Sequence, residues 1–510
     1  MGYLLGIDIS TTGAKALLID ESGNVSAGAT SEYPVSTPRP LWSEQSPADW
    51  WRGASASIRA VLSQAGAKGE DVTGIGLTGQ MHGLVMLDKS GSVLRPAILW
   101  NDQRTGPQCA EITEKAGGLI GVLNMTGNAV LPGFTAPKIV WVRQNEPAVY
   151  EKTAQVLLPK DYVRYCLTGE YATEVSDASG TSLLDVEHRC WSGRMLSLLD
   201  IPRSWLPQCT ESPEVSGRIS PAAASLTGLK AGTPVVGGGG DQAAQAVGSG
   251  VIRPGIISVT SGTSGVVFAH ADTFATEAEG RLHAFCHAVP GKWHLMGVML
   301  AAGGSFRWLR DSLGEPERTT ASLNGEDPYD VLTLEASRAP AGCDGLLFLP
   351  YLSGERTPHP DPKARGAFIG LTVQHGKHHI IRSVLEGVSF GLRDSLELIR
   401  GLGVPIEQVR ASGGGARSAL WRQIQADVFG CELALVNVTE GAAYGAALLA
   451  GVGTGVFAGV EEAAARTVHL TARIPPDPSN MERYQALYSV YRSLYPALQA
   501  SFRALSDLSR

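Results

Sequence analysis

The sequence predicts an α/β protein of two domains, and three observations carry that expectation. Short apolar strands alternate with helical segments along the chain. A strand–turn–strand unit with a hydroxyl-rich turn occurs twice: Asp8-Ile-Ser-Thr-Thr-Gly13 follows the apolar run 3–7, and Thr260-Ser-Gly-Thr-Ser-Gly265 follows 256–259. At 510 residues the chain is long enough to bury more than one core. Each turn leads into a second apolar stretch, 16–19 and 266–268, so each reads as a hairpin whose backbone N–H groups can cradle phosphate oxygens. Two such hairpins facing each other would grip a polyphosphate from both sides. Only the first carries a carboxylate, Asp8, so only that side suits Mg2+. The asymmetry points to a duplicated fold built for ATP.

The remaining elements follow in order. Segments 72–77 and 97–100 read as strands ending in polar residues, and 138–143 and 162–167 as helical stretches. The strand 234–236 runs into four glycines, 237–240, and then Asp241. The second hairpin opens shortly afterwards. This places the domain boundary near Gly248-Ser-Gly250 and divides the chain into 1–250 and 251–510. Apolar residues at 380, 381, 384, 385, 388, 392, 396 and 399 have helical spacing, with Gly401 and Gly403 as stop signals. Residues 409–412 read as a strand, 413–415 as a glycine turn and 419–429 as a helix. Segment 440–450 reads as a helix of small residues that lets another backbone approach closely, and it is too short for a membrane span. The stripe Tyr484, Leu487, Tyr488, Tyr491 and Leu494 reads as a terminal helix docking its apolar face on the body.

Composition narrows the function. Hydrophobic residues make up 44% and charged residues 18%, as in a folded globular protein. A net charge of −7 without a basic run leaves no footprint for nucleic acid. Seven cysteines without metal-ligand spacing or a CxxC pair read as free thiols in a reducing compartment. No stretch resembles a signal peptide or approaches the roughly 18 apolar residues of a membrane span. A cytoplasmic location is expected, with no membrane partner.

Two carboxylates stand out. Asp241, at a strand end behind four glycines, is placed either to accept a proton from a hydroxyl undergoing phosphorylation or to cap a helix starting at Gln242. Asp8, beside Thr11, Thr12 and Gly13, reads either as a ligand to metal-bound water near phosphates or as an Asx turn. Lys15 is no P-loop lysine, because GxxxxGK[ST] is absent around it. Gly413-Gly-Gly415 and Gly303-Gly304 each precede a helix whose first N–H groups could face an anion. Gln80-Met81-His82-Gly83 and Trp100-Asn-Asp102 follow strands and offer the donors, acceptors and flat apolar wall of a polyol pocket, with a structural role for His82 the alternative.

Two longer patterns add a resemblance. Gly133-Phe-Thr-Ala-Pro-Lys138-Ile-Val-Trp141-Val-Arg-Gln-Asn145 resembles the first signature of the FGGY family of carbohydrate kinases. Gly366-Ala-Phe368-Ile-Gly370-Leu371, with His379-Ile380 and Ser383-Val-Leu-Glu386, resembles the second. The resemblance covers nearly the whole chain and implies two ribonuclease-H-like domains, of the actin, hexokinase and Hsp70 ATPase type, around a central cleft. Segments 79–83, 98–102, 158–162 and 176–181 are similar to those of family members acting on D-xylulose, whereas glycerol kinases carry an Arg-Glu pair in place of Met81-His82. The resemblance implies ATP with Mg2+, D-xylulose phosphorylated on its 5-hydroxyl, Asp241 as general base and Asp8 near the metal. It implies sugar contacts at Met81, His82, Trp100 and Gln242, beside Gln80. For the nucleotide it implies Thr11, Thr12, Gly13, Thr263, Gly303, Arg307, Gly414 and Ser418, and for assembly a homodimer. Gln242 and Ser418 stand where relatives often carry Asn. Kinases of ribulose or arabitol, and a non-catalytic sugar-binding regulator, are the alternatives.

Overall fold

In the computed structural model, residues 2–508 are described, and they form two compact units. Unit 1 runs to residue 252 and takes in 271–294 and 438–469; unit 2 holds 253–270, 295–437 and the chain from 470 onward. The first division falls close to the expected boundary, but the expected 251–510 block is interrupted by two segments that return to unit 1.

In unit 1, β1 (Tyr3–Ile9) and β2 (Gly13–Asp20) are antiparallel, with Asp8 opposite Lys15. Strand β3 (Val25–Glu32) continues beyond β2, and β4 (Val72–Gly79) lies parallel to β1 on its other side. With β5 (Val215–Arg218) and β6 (Pro234–Val236), the sheet order is β5-β6-β4-β1-β2-β3. Successive side chains of β1 point to opposite faces, and both faces are covered. Leu5, Ile7 and Ile9 join the core with Trp50, Ala54, Ile58 and Val61 of α1 (Pro47–Ala65). Leu4 joins the opposite core, with residues of a later helix, 441–453. Each fully buried leucine or isoleucine contributes about 1.5–3 kcal/mol.

That later helix accounts for one of the two returning segments, 438–469. Its small residues lie directly on unit 1 backbone: a Cβ on Gly6 would fall 1.9 Å from the Ala443 carbonyl oxygen, and one on Gly445 would fall 1.8 Å from that of Ala244. Only residues without side chains at both places allow such packing.

In unit 2 the plan recurs. Strands β7 (Gly255–Ser261) and β8 (Gly265–Ala271) form an antiparallel hairpin, and β10 (Ile406–Ser412) runs parallel to β7. With β9 (Trp293–Met299), β11 (Glu432–Val436) and β12 (Leu470–Ile474), the strands follow the order β9-β8-β7-β10-β11-β12. The duplication seen in the turns therefore extends to the sheets: a hairpin, a third strand beyond its second member, and parallel strands beside its first.

The helix expected over 419–429 is present with those limits, and the one expected over 380–399 spans Lys377–Gly401. The aromatic stripe lies on the terminal helix Pro478–Leu508, where Tyr484 donates to Glu386 (2.7 Å) and Tyr488 to Asp394 (2.6 Å) of the helix Lys377–Gly401. It is a docking face. Among the described residues, no helix is long and apolar enough to cross a membrane.

Candidate active site

The unit 1 site is built at the ends of three neighbouring chain segments. Asp8, near the end of β1, pairs with Thr78 of β4, and on the other side Thr78 pairs with Gly239. The chain after Gly239 and Gly240 enters α2 (Asp241–Gly248), so Asp8 and Asp241 flank one strand end. The glycine run makes this possible. Gly238 has φ 74°, and a Cβ there would lie 1.8 Å from the Leu77 carbonyl oxygen. A Cβ on Gly240 would lie 2.9 Å from the Met81 sulfur, which places Met81 directly beside the base candidate.

The helix begins at Asp241 itself, one residue earlier than expected, with Gly240 in the cap position. The Asp241 carboxylate accepts the Gln242 N–H at 2.8 Å. Burial pushes its pKa up to about 6 against the pull of Gln242's backbone and side-chain donors. Asp8 is pushed to about 7, first by burial and then by the charge of Asp241, with Lys15 opposing. The Asp8 Oδ1 atom is buried and has no hydrogen-bond partner. Asp8 does not close the turn as an Asx residue; Ser10 does, donating to the Gly13 carbonyl through its N–H (3.0 Å) and its hydroxyl (2.8 Å). Lys15 forms an ion pair with Glu440.

A chain of amides holds the turn, and its centre was not foreseen. Gln45, buried, donates to the Thr11 carbonyl (2.7 Å) and the Pro34 carbonyl (3.2 Å), while its own carbonyl accepts from Trp50 (3.0 Å) and Gln80 (2.9 Å). Thr11 Oγ1 donates to Gln80 Oε1 (3.1 Å) and accepts from Trp100 Nε1 (3.0 Å). Gln80, expected among the sugar contacts, is thus buried and spends its amide on Thr11 and Gln45. Its place is inside this chain. Trp100 is 40% exposed, and Thr12 sits at the exposed tip of the turn with Gly13 at its base. Nothing in the neighbouring segment Trp42-Ser-Glu-Gln45 signals such a network in the sequence.

His82 lies beside Met81 with its backbone in the left-handed region, φ 69°. Its ring Nδ1 is 2.7 Å from the Gly180 carbonyl oxygen and the ring stacks on Phe134 at 4.6 Å. This histidine is firmly held, by the Gly180 carbonyl and by the Phe134 ring.

In unit 2, all five residues expected at the nucleotide in that half line one cavity of about 300 Å³: Thr263, Gly303, Arg307, Gly414 and Ser418. The second turn is pinned to the start of the helix Gly303–Leu313: Gly303 N–H donates to the Gly262 carbonyl (2.7 Å), and the Ala302 and Gly304 N–H groups donate to that of Thr263 (3.0 Å each). Ser418 also caps the helix Ala419–Phe429, accepting the Trp421 N–H at 3.2 Å. Phe306, Tyr329, Asp330, Thr333 and Trp421 also line it and were missed. Phe306 lies against Tyr329 (5.2 Å) and Trp421 (5.7 Å), giving the cavity an aromatic wall. An aromatic residue three positions after a glycine turn was the available signal.

The donors present fit a hard divalent cation held mainly by substrate phosphates. Among the described residues no group of three or more His, Cys, Asp or Glu side chains is arranged to hold a metal, whereas Asp8 offers a buried, unpartnered carboxylate oxygen beside the phosphate turn.

Each unit thus carries a hydroxyl-rich turn, unit 1 adds two carboxylates at a strand end and unit 2 a lined cavity, and family comparison identifies the class. Residues 3–248 match the N-terminal domain of the FGGY family of carbohydrate kinases, and residues 257–454 match its C-terminal domain. The chain belongs to that family, and the expected pair of ribonuclease-H-like α/β domains is borne out. Among its relatives, it is 41% identical over 501 residues to the xylulose kinase of Escherichia coli (strain K12), covering 97% of this chain and 99% of that one. It is 32% identical over 510 residues to the gluconokinase of Bacillus subtilis (strain 168), covering 100% of this chain and 98% of that one. The crystal structure of xylulose kinase from Rhodospirillum rubrum superposes with a TM-score of 0.90 at 34% identity, covering 98% of this chain and 100% of that one.

Proposed function

We propose that the protein transfers the γ-phosphoryl group of ATP to the 5-hydroxyl of D-xylulose, in a reducing cytoplasm that suits its seven free thiols. The observation that carries the chemistry is Asp241, a carboxylate set by glycines at a strand end beside Met81 and the unpartnered Asp8. With a pKa of about 6 it is mostly ionised at neutral pH and basic enough to take a hydroxyl proton. As the sugar oxygen attacks the γ-phosphorus, its proton passes to Asp241 and the bond to ADP breaks. Mg2+ held by Asp8 would supply offset of the phosphate charge. Thr11, Thr12 and Gly13 serve the phosphates from unit 1, and Thr263, Gly303, Arg307, Gly414 and Ser418 hold the nucleotide in unit 2. Met81, His82, Trp100 and Gln242 contact the sugar, while Gln80 orients Thr11.

The choice of D-xylulose rests on the higher identity to xylulose kinase than to gluconokinase. A coupled ADP-release assay over D-xylulose, D-ribulose, D-arabitol and gluconate tests it. The expected result is a kcat/KM for D-xylulose at least about tenfold above the others. Preference for another compound overturns the substrate assignment, and sugar binding without ADP release overturns catalysis.

A further inference from the structure

The first family signature, residues 133–145, has no task in the reaction described above, yet its opening turn is wrapped around His82. Three of the grips on His82 come from this turn. The Phe134 ring stacks on the imidazole at 4.6 Å with 21° between planes. The His82 carbonyl accepts from Thr135 Oγ1 at 3.1 Å and from Lys138 Nζ at 2.9 Å. A further grip is the Gly180 carbonyl at 2.7 Å from Nδ1, where a Cβ on Gly180 would come within 2.3 Å of the ring. Thr135 and Lys138 lie three positions apart at the start of the helix Thr135–Asn145, so one helical turn aims both donors at one carbonyl.

Lys138 is an unusual choice for this work. It is fully buried, and its second bond goes to another backbone carbonyl, that of Gly133, at 2.7 Å. Burial lowers its pKa to about 7, with the charge of Asp102 opposing. Satisfying two carbonyls with a buried ammonium is costly compared with an ordinary backbone donor. The cost is explained by what is held: a residue with a Cβ in the left-handed region, which relaxes unless its surroundings fix it.

We propose that Lys138, assisted by Thr135, is a positioning residue for sugar recognition: by holding the His82 carbonyl it fixes the backbone turn that presents the imidazole to the sugar. The inference rests on the reading of His82 as a sugar contact. Sugar affinity depends on this grip, and nucleotide affinity does not.

The test is steady-state kinetics of Lys138→Met, Thr135→Val and His82→Ala, varying sugar and ATP separately, with melting temperatures for each. Lys138→Met should raise the sugar KM about tenfold, and the near-isosteric Thr135→Val about threefold, with the ATP KM within about twofold of wild type. If Lys138→Met does not fold, Thr135→Val decides alone. A rise in both KM values together means a merely structural role and overturns the inference. An unchanged sugar KM in folded Lys138 and Thr135 variants, with a raised one in His82→Ala, overturns the inference alone. An unchanged sugar KM in His82→Ala overturns both the inference and the sugar contact it stands on.

Discussion

The two hairpins share strand order but differ in loop length and in how the turn is held. In unit 1 side chains do most to hold the turn: Gln45, Gln80 and Trp100 all converge on Thr11, beside one backbone bond from the Tyr33 N–H to the Thr12 carbonyl (3.2 Å). In unit 2 it is fixed by backbone, through the N–H groups of residues 302–304 on the carbonyls of Gly262 and Thr263. The strand-end position held by Asp8 in unit 1 corresponds to Thr260 in unit 2, whose hydroxyl lies 2.8 Å from that of Ser412. Asp8 instead keeps a buried oxygen without a partner. The same fold thus yields a neutral turn beside a lined cavity and an acidic turn beside Asp241.

The sharpest way to break this comparison is to remove unit 1's acids. Asp241→Ala should lower kcat by about a thousandfold, the usual worth of a positioned general base, with the fold intact. Asp8→Asn should lower kcat by about a hundredfold, whereas Thr260→Val at the matching position in unit 2 should change it by less than about threefold. Equal losses from Asp8→Asn and Thr260→Val would erase the asymmetry. The unit 2 role is probed by Gly414→Leu. A Cβ at Gly414 meets open space, so the fold should tolerate the side chain while it enters the cavity. The ATP KM should rise about tenfold with the sugar KM unchanged.

The smallest expected effect is on stability. Asp8 has its pKa raised to about 7 in the fold, above an unfolded carboxylate near about 4. Its protonated form is therefore favoured by folding, and that contribution is full below the unfolded value and lost as pH rises through 7. Without metal or nucleotide, Asp8→Asn should melt about 2–4 °C above wild type at alkaline pH, and the gain should shrink towards zero in acid. A gain confined to acid pH would contradict the buried-charge account.

Local patterns carried much of this fold into view. The glycines at 413–415 and the apolar spacing after them located the helix Ala419–Phe429, and the repeated hydroxyl-rich turns located both hairpins. The five unit 2 residues that line one cavity lie on three separate turns, and family resemblance joined them. Contacts distant in sequence stayed hidden. The helix Gly441–Gly453 was legible as a close-packing helix, but the match of Gly445 to the Ala244 carbonyl is a property of two backbones in space. Gln80 reads as a pocket donor until Gln45 is seen to occupy its amide. Asp241 begins its helix instead of capping it, with Gly240 in extended backbone (φ −56°, ψ 150°) at the cap.

The most direct measurement of the central claim is the calorimetric affinity of Asp241→Asn for D-xylulose, set beside its single-turnover rate. If Asp241 takes the hydroxyl proton, sugar binding stays within about threefold of wild type while transfer falls by about a thousandfold. Transfer within about tenfold of wild type, or sugar affinity lost in step with it, would contradict the account.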